Sequence, residues 1–283
     1  MAGARETWQI KRCTSCGYGW TDPVLPAEAL RAHYPDSYHG DTAAMLDDFL
    51  SGKLVASRSW RGEVEKVRVV QSFVKGGDIL DVGCGDARFL LALLPQNWRR
   101  TGIDFARETL ELVAARISCL RLIPGSIDTE KLEPESFDVL TLWHVLEHLP
   151  DPGMTLEKAA RLARPNGWVF VSLPNFGSLQ ASLFRRYWYC FDDVPRHLHH
   201  FSRRSLDLLL QRAGFQVRRH LFFSRRVNFH SLKHSLLHWS EDSFRSRAPY
   251  YALKPLLFAF PAVEAVTRRY GILTTVAQKP GHS

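Results

Sequence analysis

Apolar positions along this chain change rhythm near Arg61, and a regular fold begins there. Val64, Val67, Val70 and Phe73 recur at helical spacing, and Gly76-Gly77 ends that helix. Asp78 to Val82 reads as a short apolar strand running into Gly83-Cys84-Gly85. A helix from Arg88 to Leu94 follows, stopped by Pro95. Arg100 to Ile103 is a second strand, ended by Asp104, and Arg107 to Ile117 a helix with Leu110, Val113 and Ala114 on one face. Leu120 to Ile123 and Phe137 to Trp143 are the third and fourth strands. A helix from Met154 to Ala163, a turn at Pro165-Asn166-Gly167 and a strand from Trp168 to Leu173 continue the alternation. After an aromatic and Arg-rich linker come a helix from Ser205 to Arg212, a strand from Gln216 to Phe223 and a last strand from Ile272 to Ala277. Strands apolar on both faces, alternating with helices, predict a parallel sheet covered on both sides. Right-handed crossovers make it a doubly wound, Rossmann-like α/β fold with a seven-stranded, mostly parallel sheet.

This rhythm divides the chain into an N-terminal cap (1–60), a core (61–223), an insertion (224–271) and a last strand with its tail (272–283). With 45% hydrophobic and 23% charged residues, the 283-residue chain has the composition of a soluble globular protein. No apolar run reaches the roughly 20 residues that span a bilayer. Met1 to Arg12 lacks the apolar stretch of a secretory signal. Five cysteines are too few and too scattered for a disulfide framework, so a reducing, cytoplasmic setting is expected. Charge changes the picture more: residues 1–180 carry a net −3 and residues 181–283 a net +11. The last third therefore favours anionic partners, or is simply a solvated basic face.

The chemistry is expected at Asp81-x-Gly83-x-Gly85. Glycines after a strand permit a tight turn and close approach of a ligand to the backbone, and the next helix offers free N–H groups. A dinucleotide site would carry a third glycine, where this chain has Arg88, and a pyrophosphate would be repelled by Asp81. An acid there suits a ligand with an ammonium and a sulfonium. Asp104, ending the second strand, suits ribose hydroxyls.

With these features the chain resembles the class I S-adenosylmethionine-dependent methyltransferases. More narrowly, it resembles the subgroup that includes ubiquinone-type O-methyltransferases and many cell-envelope and small-molecule methyltransferases. Phe137-Asp138-Val139, Leu146-Glu147-His148-Leu149-Pro150-Asp151-Pro152, Pro174-Asn175, Pro195-Arg196-His197 and Ala213-Gly214-Phe215 carry that likeness. The resemblance implies S-adenosylmethionine as cofactor. It places Asp81 toward the methionine ammonium, Gly83 and Gly85 around the methionyl part, and Asp104 on the ribose. Ser126 and Ile127 would edge the adenine, with Trp143 and His144 near the methyl group.

An oxygen or nitrogen acceptor needs a base, for which His144 and His197 are the candidates. His144 to His148 also spells H-x-x-E-H, but it straddles a strand end rather than a helix, so no metal is assigned. Cys13-Thr14-Ser15-Cys16 is half of a zinc ribbon without a second pair. The insertion mixes aromatic, aliphatic and basic residues and reads first as a lid over the substrate, then as a peripheral membrane contact. Nucleic acid is not expected, since no RNA-binding signature accompanies these aromatics. The expected acceptor is a small or lipid-linked molecule of anionic character, methylated at oxygen. A nucleic-acid or protein methyltransferase, or a non-catalytic binding protein on the same fold, are the alternatives. Oligomeric state is left open.

Overall fold

The computed structural model describes residues 8–26, 29–30, 32–34, 40–52, 60–93, 97–221 and 225–281. Its centre is a seven-stranded sheet in the order β5-β4-β3-β6-β7-β10-β9. The strands are β3 (Gly77–Val82), β4 (Trp98–Asp104), β5 (Arg121–Pro124), β6 (Phe137–Trp143), β7 (Ala163–Pro174), β9 (Gln216–Leu221) and β10 (Ile272–Gln278). The first five run parallel, and β10 is antiparallel to both β7 and β9. This is the expected doubly wound α/β architecture. Strand order reverses between β3 and β6, so the carboxyl ends of β3, β4 and β6 open on one edge, where such sheets bind ligands.

Two apolar clusters cover the sheet. On one face, helices α1 (Thr42–Leu50), α2 (Arg61–Gln71), α3 (Arg88–Ala92) and α4 (Arg107–Arg116) bring Leu46, Val67, Val70, Phe89, Leu110 and Val113 against Ile79, Val139, Trp143 and Phe170. On the other, α5 (Pro152–Leu162) and α7 (Arg203–Arg212) set Leu156, Leu162, Leu206 and Leu210 on Leu80, Leu140, Leu142 and Val169. Successive strand residues therefore belong to opposite cores, as the two-residue period of a strand requires. The helix starts are fixed locally. Asp151 accepts from the Met154 N–H ahead of Pro152, and Ser202 and Ser205 form a reciprocal capping box on α7.

The expected turn at Pro165–Gly167 takes an unexpected form. β7 already begins at Ala163, and residues 164–167 bulge out of the ladder between the pairs Phe137–Ala163 and Val139–Trp168. Asn166 takes a φ of +64° in the bulge, and Arg164 turns back to ion pairs with Asp138 at 2.5 Å and Asp78 at 2.8 Å. A polar network thus replaces a free turn.

The N-terminal hairpin, β1 (Gln9–Arg12) and β2 (Gly19–Asp22), pairs with β8 (His199–His200) in a separate three-stranded sheet. Its loop holds Cys13 and Cys16; all five cysteines are free thiols. The insertion forms helices α8 (Arg225–Phe244), α9 (Ala248–Leu253) and α10 (Phe260–Thr267). They build a third core with α6 (Leu179–Phe184) and the turn after it, in which Leu232, Leu236, Tyr250 and Leu257 meet Phe184, Trp188 and Cys190. No helix among the described residues is long and apolar enough to cross a membrane.

Candidate active site

The loop after β3 brings the glycines and both acids together. Gly83 and Gly85 have φ of +69° and +53°, a region that costs other residues. For Gly83 the reason is partly internal, because a Cβ there would lie 2.4 Å from Val145 Cγ2. The Gly85 N–H donates to Asp104 Oδ2 at 2.8 Å, and the Ala106 N–H to Oδ1 at 2.9 Å. Asp104 is thereby fixed at the end of β4. Its oxygens keep lone pairs beyond these two bonds, which ribose hydroxyls can use.

Asp81 is 3% exposed, on the α2 face of the sheet beside Thr141, whose hydroxyl donates to Asp81 Oδ1 at 2.6 Å. Burial pushes its carboxyl up to about 7, against the pull of Thr141 and the positive field of Lys66. A cationic ligand nearby would restore its charge. The acid pair therefore fits a donor that carries an ammonium at one end and a ribose at the other. Lys66, on α2, lies 5.5 Å from the centre of the Trp143 ring and pairs with Glu63 at 3.0 Å. Trp143 itself is core, with its ring 5.4 Å from Phe89 and 6.5 Å from Phe170. Ile127 is buried in the second core. Ser126 Oγ accepts from the Asp128 N–H, in a turn tied to β4 by the Gly125 N–H bonded to the Asp104 carbonyl.

His144 directly follows β6 with a φ of +58°, uncommon for a side chain of its size, and its imidazole is about a third exposed. Its Nδ1 is 3.6 Å from Glu147 Oε1. Glu147 is 1% exposed and neither carboxyl oxygen has a hydrogen bond among the described residues. Burial opposes its charge, but the approach of His144 and the fields of His148 and His197 outweigh it and hold the carboxyl at about 2. His148 Nδ1 donates to the Arg196 carbonyl at 3.0 Å and His197 Nδ1 to the Cys190 carbonyl at 2.8 Å. When neutral, each imidazole therefore keeps a lone pair on Nε2.

His197, unlike His144, is almost fully enclosed, with its ring 4.7 Å from that of His148. Burial pushes it down to about 4, so it is neutral at physiological pH. Glu147, His148 and His197 each offer a ligand atom within 4.8 Å of the others. Reading the residues in order did not join His197 to this pair, since 49 positions separate it from His148 in the chain. Nor did it single out Lys66 and Glu63, whose i,i+3 spacing on α2 reads as an ordinary surface pair.

Residues 57–220 match the family model for the methyltransferase domain. The chain belongs to this family. Its fold and loop are those of a class I, S-adenosylmethionine-dependent methyltransferase. Among curated relatives, the ubiquinone biosynthesis O-methyltransferase of Nitrosospira multiformis is 30% identical over half of this chain and 64% of its own length. That of Paracidovorax citrulli is 34% identical over 56% of this chain and 70% of its own. The chain thus spans less than two thirds of the first relative, and less than half of several others. Among solved structures, a methyltransferase from Haloferax volcanii in complex with the Trm112 activator superimposes with a TM-score of 0.58. It is 18% identical, over 87% of this chain and 97% of that one, a likeness of fold. The family match ends before the insertion.

Proposed function

We propose that this chain transfers the methyl group of S-adenosylmethionine to an oxygen of a small-molecule acceptor, with the insertion walling the acceptor side. The observation that carries the reading is the fixed acid Asp104 beside the buried acid Asp81, with His144 at the end of β6 on the same edge of the sheet. Asp81 balances the methionine ammonium through the loop, Asp104 accepts from the ribose, and Ser126 with Ile127 borders the adenine. Gly83 and Gly85 let the loop close on the methionyl part, over a floor that includes Trp143.

S-adenosylmethionine supplies an electrophilic methyl group on a sulfonium; its C–S bond breaks as the C–O bond forms. His144 takes the acceptor's hydroxyl proton, and Glu147 behind it stabilises the imidazolium. His197 acts from the enclosed side by orienting His148. The curated relatives named for ubiquinone biosynthesis support an oxygen acceptor. The net +11 of residues 181–283 supports an anionic or lipid-linked one.

The test is transfer of labelled methyl from S-adenosylmethionine to a panel of hydroxylated aromatic and lipid-linked acceptors. Label on oxygen, lost in His144→Ala, supports the reading. Label on protein or nucleic acid instead would replace it with the alternative acceptors, and cofactor binding without any transfer would leave a binding protein.

One observation favours a second reading of the acceptor side. Glu147, whose carboxyl oxygens accept no hydrogen bond among the described residues, lies with His148 and His197 so that each offers a ligand atom within 4.8 Å of the others, a donor set that suits a divalent ion. Such an ion would hold the acceptor oxygen and lower its pKa. Metal analysis of the purified protein and of Glu147→Gln, with activity before and after chelation, separates it from a base acting alone.

A further inference from the structure

The insertion carries a surface that the methyl-transfer site leaves unused. Its last part, the 3-10 turn Lys254–Phe258 and helix α10, turns large apolar side chains outward. Leu256 is 65% exposed, Phe258 73%, Val263 47% and Val266 86%. Pro255, Ala259, Ala262 and Ala265 are exposed between them. Val263 and Val266 stand three apart, on one side of the helix. Scattered apolar residues on a surface need no explanation, but an unbroken run of them does.

The segment is held in this orientation from beneath. Glu264 on α10 is 1% exposed, and its Oε1 accepts from Gln180 Nε2 and from the Gly271 N–H, both at 3.0 Å. Leu257 and Tyr250 are buried in the third core. Rolling the helix to hide Val263 and Val266 would break this buried polar network and leave its groups unpaired.

Charge selects the partner. From Ser243 to Lys279 the chain has six cations and one acid, the buried Glu264. Arg247 pairs with Glu241, Lys279 with Glu135, and Arg269 donates to the carbonyls of Gly177 and Ser178. Arg245, Lys254 and Arg268 are exposed, with no acidic partner among the described residues. Lys254 and Arg268 bracket the apolar run. A second copy of this surface would set cation against cation. An anionic bilayer offers both complements, phosphates for the cations and the acyl boundary for Leu256, Phe258, Val263 and Val266.

We propose that the 254–268 face docks this chain peripherally on an anionic lipid surface. The docking is independent of the chemistry proposed for the crevice. Co-sedimentation with vesicles tests it, using phosphatidylcholine alone and phosphatidylcholine mixed with phosphatidylglycerol. The full chain is expected to sediment with the mixed vesicles and to stay in solution with the neutral ones. Phe258→Ser/Val266→Ser should bind about tenfold more weakly through lost apolar burial. Lys254→Ala/Arg268→Ala should lose about fivefold per charge, a loss that high salt imposes on the parent as well. Unchanged cofactor titration in each variant shows that the fold is kept. The proposal falls if the parent ignores anionic vesicles or if the variants sediment like the parent. It also falls if the parent is a dimer that Phe258→Ser/Val266→Ser makes monomeric without any vesicle binding.

Discussion

The loop after β3 and the insertion after β9 dispose of their apolar and charged groups in opposite ways. At the loop, charge is buried and apolar groups are spent on packing: Asp81 sits under the glycine turn, and Val145 fills the space a Cβ at Gly83 would need. In the last part of the insertion, from Ser243 onward, the one acid, Glu264, is buried, while Leu256, Phe258 and Val266 face outward between cations. The first arrangement suits one small cationic ligand held in a fixed geometry. The second suits an extended surface. A donor site can be rigid because the donor never changes, and a docking surface can be shared among many lipid molecules because it reads only charge and greasiness.

Several changes would break or sharpen this contrast. The largest effect is expected at His144: His144→Ala should lower the methyl-transfer rate by about 10²–10⁴-fold, with cofactor affinity unchanged. Equal losses in rate and affinity would move His144 from the acceptor side to the donor side. Next is Gly83→Ala, which combines a φ of +69° with a contact of 2.4 Å to Val145. A loss of about 1–3 kcal/mol in thermal or denaturant unfolding is expected. Gly83→Ala/Val145→Ala should recover the steric part but not the backbone part.

A smaller effect follows from the buried acid. In the free protein Asp81 is pushed up to about 7, and a bound ammonium favours its charged form, so binding releases a proton. Affinity for S-adenosylmethionine should therefore be level above about pH 7 and weaken below it by up to about tenfold per unit. Asp81→Asn should flatten that slope, as isothermal titration across pH would show. The smallest effect is expected at the opposite region. Phe258→Ser/Val266→Ser should leave cofactor affinity unchanged and stability within about 0.5 kcal/mol per site. A loss of cofactor binding there would mean that the insertion and the loop are one site.

The same contrast explains what could be read from the residues alone. The parallel strands, the glycine loop and the acid ending β4 were legible because each is specified by a few adjacent residues and a backbone rule. Strand ends needed only small adjustment, as where β4 begins at Trp98 rather than Arg100. The bulge at 164–167 was not legible, because the ion pairs of Arg164 with Asp78 and Asp138 join distant strands. Nor was the grouping of His197 with Glu147 and His148, which depends on how the segment after β7 returns beside β6. The insertion's composition was plain, with its aromatics and cations. Its helices, and the way Glu264 pins one of them with its valines outward, depend on Gln180, 84 positions away along the chain, as well as on the nearby Gly271 N–H.

Everything on the donor side rests on Asp104, held by two backbone N–H groups at the end of β4. Calorimetric titration of S-adenosylmethionine into the parent and into Asp104→Ala tests it most directly. Saturable binding by the parent is expected, weakened about a hundredfold or more in the variant by the loss of two charge-assisted hydrogen bonds. No binding by the parent, with the variant indistinguishable from it, would contradict the methyl-donor site.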